Sequence, residues 1–152
     1  MTGSGKETLD AIMRAMELEK ETFDFYTNAE QRTFDPAGKR IFRWLAKAEE
    51  AHYLKLTELY NSLDQGGRWV FYGGSTIALE PEGEGMQVGF DTNDLEAMEI
   101  AMDIERKGIA YFDELAKKTS DPDGKGMLET LRDEETEHLR IIAEKYKQMA
   151  KG

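Results

Sequence analysis

The chain has 152 residues, 34% of them charged, with a formal net charge of −11. That length fits one domain with a real hydrophobic core, and the acidic balance argues against nucleic acid or an anionic membrane as partner, since both are polyanions. There is no cysteine, which excludes disulfides, thiolate catalysis, zinc–thiolate sites and cysteine-held iron–sulfur centres. The N-terminal MTGSGKETLD carries no apolar targeting segment, and no apolar run approaches the ~18 residues of a membrane span. The expectation is a soluble cytoplasmic protein occupying 1–152 as a single domain.

Before the elements can be read in order, the chain shows that it repeats itself. Residues 7–63 align without gaps on 93–149 at an offset of 86, and 15 of the 57 positions are identical. Leu9, Ala11, Ala15, Met16 and Glu19 recur as Leu95, Ala97, Ala101, Met102 and Glu105. Asp35-Pro36-Ala37-Gly38-Lys39 recurs as Asp121-Pro122-Asp123-Gly124-Lys125, and Leu45, Glu49 and His52 recur as Leu131, Glu135 and His138.

In chain order, the first predicted helix covers 6–33. Its apolar stripe reads Leu9, Ile12, Met16, Glu19, Phe23, Tyr26 at 3-4 spacing. Asp35 then supplies an N-cap, with Pro36 at the first helical position. The second helix covers 36–64, with the stripe Phe42, Leu45, Glu49, His52, Leu56, Leu59, Leu63. Gly66-Gly67 stops it. The segment 65–92 is Gly-rich, contains Pro81 and holds two short β-like runs, 68–72 and 87–90. So long a connection requires a reason. A crossover supplies one, letting the second and third helices run parallel. A helix of ~28 residues is ~42 Å long, which about 13 extended residues can span. Trp69, Phe71 and Tyr72 in this segment either cover the bundle's flank or dock a partner.

The third helix covers 93–119, with Asn93 and Glu96 as a start signal and the stripe Leu95, Met98, Met102, Glu105, Ile109, Phe112. The fourth covers 122–150, capped by Asp121, with Leu128, Leu131, Glu135, His138, Ile142, Lys145, Met149 on its stripe. The expected fold is all-α: a four-helix bundle made of two repeated hairpins joined by one long crossover.

In every stripe a Glu, or a Glu and a His, takes the mid-helix core position. Glu is almost never buried unpaired, and four converging carboxylates must protonate or bind cations. Two divalent ions balance the −4 of Glu19, Glu49, Glu105 and Glu135, while His52 and His138, the only histidines present, add neutral nitrogen donors. Residues i and i+3 share a helix face, so each Glu-x-x-His can reach one metal, or the Glu can join two. One Glu from each of two helices and a Glu-x-x-His from each of the others is the ligand pattern of di-iron and di-manganese carboxylate bundles. On that reading Glu49 and Glu135 bridge, and Glu19 and Glu105 are terminal. The bland alternative is a metal-free bundle with solvated acids and satisfied histidines.

The chain resembles the rubrerythrin branch of the ferritin-like superfamily. The resemblance rests on Glu19 followed by Phe25-Tyr26, Glu105 followed by Tyr111-Phe112, 45–52 (LAKAEEAH) and 133–138 (DEETEH). It spans nearly everything except 65–92, and implies a ferritin-like fold and two iron ions that react with hydrogen peroxide or dioxygen. Manganese or zinc are other occupants such ligands accept. Rubrerythrins add a cysteine-held iron domain that this sequence does not contain, so the resemblance implies an external electron donor. They also carry a further Glu one turn after the third-helix ligand, where Gly108 stands here, which leaves a more symmetric six-ligand site as in erythrin-like members. A homodimer is compatible with the resemblance. Tyr26, two turns from Glu19, is a candidate hydrogen-bonding or relay residue, or simply a core aromatic. The function these residues imply is an oxidoreductase of peroxide or dioxygen. The alternatives are a ferroxidase or iron-handling protein without peroxidase turnover, and a metal-free binding or structural bundle.

Overall fold

A computed structural model describes residues 5–74 and 92–151. It contains four helices: α1 (Gly5–Arg32), α2 (Pro36–Asp64), α3 (Thr92–Lys118) and α4 (Pro122–Lys151). Asp35 caps α2, its side chain accepting from the Gly38 amide at 2.9 Å. Asp121 caps α4 in the same way, accepting from Asp123 and Gly124. Gly66, at φ 78°, ends α2 in a conformation that favours glycine. α3 begins at Thr92, so Asn93 lies inside its first turn rather than capping it. The buried acid there is Asp94, which accepts from the backbone amides of Phe34 and Asp35 and pins the start of α3 to the α1–α2 turn.

The cross-helix pairs fix the topology. Asp94 meets Phe34, Glu105 meets Tyr26, and Tyr111 donates to the Ala11 carbonyl, so α1 and α3 run antiparallel. Asp35 meets Lys145, Glu49 meets His138, and His52 meets Glu135, so α2 and α4 run antiparallel. α1 and α2 form one hairpin, as do α3 and α4. α2 and α3 therefore point the same way, the helix directions expected of a bundle with one crossover.

Two apolar layers fill the core. One holds Ile12, Met16, Leu56, Leu59, Phe112 and Leu131, the other Tyr26, Phe42, Leu45, Met98 and Ile142. The buried carboxylates and imidazoles lie between them. The start of the crossover is docked on the first layer, where Trp69, Val70 and Tyr72 pack, while Phe71 is 85% exposed. Trp69 covers Gly124, where an added Cβ would lie 2.5 Å from the indole. The β-like run expected at 68–72 forms no strand. The one expected at 87–90 lies outside the described residues.

Candidate metal centre

The mid-stripe positions meet at one level of the bundle because all four helices place them on the inward face. Glu19, Glu49, His52, Glu105, Glu135 and His138 are each at most 3% exposed. The off-stripe acids Glu17, Glu21, Glu50 and Asp133 are exposed. The buried six form two overlapping groups, Glu19–Glu49–His52–Glu135 and Glu49–Glu105–Glu135–His138, with donor atoms within 4.8 Å of one another in each. Glu49 and Glu135 belong to both groups; Glu19 and Glu105 to one each.

His52 turns Nδ1 inward, 2.9 Å from Glu19 Oε2 and 3.0 Å from Glu135 Oε1. His138 turns Nδ1 inward as well, 3.1 Å from Glu49 Oε1 and 3.4 Å from Glu105 Oε2. The two imidazoles lie nearly parallel, 9° between planes and 5.9 Å between centroids. Tyr26 is fully buried, and its hydroxyl donates to Glu105 Oε1 at 2.6 Å. The hydroxyl thus ties down one oxygen of Glu105 and leaves Oε2 facing the cluster.

The electrostatics are those of anions crowded away from water. Burial, and then the charge of Glu135, push Glu105 up to about 8. Burial and the neighbouring Glu49 and Glu135 raise Glu19 well above the usual carboxylate range. Burial opposes charge on both histidines, but the surrounding carboxylates outweigh it and raise both. Burial, then Glu105, raises Tyr26, keeping its proton in place as a donor.

Whether these residues suit metal ions is decided by their unused valences. Both oxygens of Glu49, Oε2 of Glu105, Oε1 of Glu135 and Nδ1 of His138 are buried without a properly formed hydrogen bond. Buried polar atoms are ordinarily partnered. Among the described residues the exceptions, Arg40 Nε apart, are concentrated in one layer and point at one another. Oxygen-rich donors with one imidazole per group suit divalent first-row metals. The arrangement fits two such ions.

Sequence reasoning expected all six residues on the inward stripes, and left Tyr26 open between a hydrogen-bonding or relay residue and a core aromatic; the structure packs its ring in the second apolar layer and brings its hydroxyl to Glu105. Sequence reasoning missed Glu134, which lies beside Glu135 but off the stripe. Glu134 Oε1 is 2.8 Å from His52 Nε2 and also accepts from the Tyr72 hydroxyl. The repeat gave no signal for it, since position 134 aligns with Ala48.

Fold and site together define a four-helix carboxylate bundle built around a candidate dimetal centre. The rubrerythrin family model matches residues 3–60, consistent with a rubrerythrin-like member of the ferritin-like di-iron proteins. The match takes in Glu19, Glu49 and His52; the other three arrive through the internal repeat. No curated protein and no solved structure matches the chain. No helix among the described residues is long and apolar enough to cross a membrane.

Proposed function

We propose that this is a di-iron carboxylate protein that reduces hydrogen peroxide or dioxygen with electrons from an external donor. The observation that carries the reading is the buried layer of inward-facing carboxylates and imidazoles, five of whose atoms are left without a formed hydrogen bond. The rubrerythrin match over the first hairpin supports iron and oxygen chemistry.

In this reading Glu49 and Glu135, which belong to both donor groups, would help hold both irons. Glu19 and His52 would complete one position, Glu105 and His138 the other. Bound iron supplies the electrons and polarises the oxygen–oxygen bond. The protein's residues do the rest. The four carboxylates balance the charge of two divalent ions in a dry core. Tyr26 holds Glu105 in one orientation. The apolar layers above and below keep bulk water from the centre. Gly108, whose added Cβ would lie 3.3 Å from Glu135 Oε2, leaves room beside that shared carboxylate.

The test is anaerobic loading with ferrous iron, followed by metal analysis and an optical spectrum before and after peroxide. About two irons per chain, and a ferric absorption that develops on adding peroxide and clears on adding reductant, are expected. No iron uptake, or iron indifferent to both peroxide and air, overturns the proposal. Oxidation by air alone, with many irons stored per assembly, would replace it with a ferroxidase reading.

A further inference from the structure

The ligands repeat across the two halves, but what stands behind them does not. His52 points Nδ1 at the cluster and Nε2 at Glu134 Oε1, 2.8 Å away. Glu134 stands on α4 and His52 on α2, so the contact joins the two repeats. The Tyr72 hydroxyl donates to the same Glu134 oxygen, and the Tyr72 ring meets His52 edge-on at 5.9 Å. Tyr72 belongs to the crossover, which has no counterpart in the repeat. Its position is secured three residues earlier by Trp69, seated over Gly124. In the other half, position 134 is matched by Ala48, which has no group to accept a proton. The ring that meets His138 is the edge of Trp44, at 5.1 Å.

A metal-bound imidazole carries its remaining proton on the nitrogen facing away from the ion. A carboxylate that accepts that proton fixes the tautomer and the ring orientation and makes the ligand more basic. Glu134 also adds a further negative charge behind the Glu19–His52 group. We infer that Glu134, held in place by Tyr72, is a positioning residue that makes the two metal positions unequal, so that the His52 position binds its ion first and more tightly. The inference rests on the two-metal reading above.

The chain's only two histidines give each half its own reporter. The full-length protein, labelled with ¹⁵N-histidine, is titrated with Zn(II) alone while imidazole nitrogens are followed by NMR, with signals assigned from His138→Gln. Stepwise affinities come from competition with a chelator. The expected result is two steps, His52 responding in the first and His138 in the second. Glu134→Gln weakens the first step by about 10- to 100-fold and leaves the second in place; Tyr72→Phe weakens it less, in the same direction. Thermal unfolding of the metal-free variants separates positioning from mere support. Loss of stability with unchanged steps overturns the inference, and should Glu134→Gln fail to fold, Tyr72→Phe decides. Two equal steps in the unaltered chain overturn the inference but keep the two-metal reading. Zinc that moves neither histidine overturns both.

Discussion

The Glu19–His52 half and the Glu105–His138 half present the same side-chain types with different support. In the first, the imidazole is backed by Glu134 and Tyr72, while Glu19 meets His52 directly. In the second, the carboxylate is backed, by the Tyr26 hydroxyl on Glu105. The repeat puts Phe112 where Tyr26 stands and Ala48 where Glu134 stands, so neither half can borrow the other's device. One half is stiffened through its histidine, the other through its unshared glutamate. The difference teaches that a near-symmetric ligand set does not make two equivalent positions, since neighbours one contact away set orientation and basicity.

The largest expected effect separates shared from unshared ligands. Glu49→Gln or Glu135→Gln removes a carboxylate that both groups use. Each should weaken both steps of a Zn(II) titration, by more than about 100-fold, beyond what an outer partner contributes. Glu19→Gln should weaken the first step alone and Glu105→Gln the second alone. The metal-free Glu19→Gln, Glu105→Gln and Glu135→Gln variants should unfold no lower than the parent, because burial among like charges raises all three carboxyls, whereas Glu49→Gln, which removes a carboxylate that the histidines hold low, should unfold lower. A Glu19→Gln variant that loses both ions equally would show that the layer acts as one indivisible site, and the comparison of halves would fail.

Much of this centre is legible in the sequence because duplication prints it twice. The Asp-Pro turns, the helix spans and the six stripe positions follow from local chemistry and 3-4 spacing, which need no knowledge of partners across the bundle. The role of Tyr26 was only half legible. Its stripe position put it in the core, but its partner is on α3, 79 residues away, and such pairings depend on how helices are set against one another. Glu134 resembled any solvated helix acid, and only a contact between repeats reveals it. For Trp69 and Tyr72, composition left flank cover and partner docking both open. Packing against the bundle settles these two as flank cover, while Phe71 faces outward.

The next effect is a stability slope whose sign depends on metal. In the metal-free fold Glu105 titrates near 8 instead of its ordinary 4.5, and Glu19, His52 and His138 are also raised. Glu49 runs the other way: burial pushes it up, but the histidines hold it low. On balance the folded chain binds more protons than the unfolded one between about 4.5 and 8. Stability is then full below that window and is lost as pH rises through it. Each kcal/mol moves Tm by about 2–4 °C at this size, so a fall on the order of 5 °C from pH 5 to 8 is expected. With Zn(II) bound, ligands must be deprotonated, and Tm should rise over the same range. Glu105→Gln should flatten the upper part of the metal-free fall. Parallel slopes with and without metal, followed by calorimetry, would contradict this account.

The smallest effect, and the sharpest on the second half, is Tyr26→Phe. The variant keeps the ring that packs at 5.9 Å from Phe42 and removes only the hydroxyl, reproducing the residue found at Phe112. One oxygen of a fully buried carboxyl loses its donor, which costs about 1–3 kcal/mol and should lower the metal-free Tm by a few degrees. Glu105 is then free to rotate, and the second Zn(II) step should weaken by up to about 10-fold while the first stays as it was. That outcome mirrors Glu134→Gln, which acts on the first step alone. Should Tyr26→Phe weaken both steps alike, the hydroxyl serves the whole layer through the shared Glu49 and Glu135. The asymmetry would then rest on His52 and its Glu134 partner by themselves.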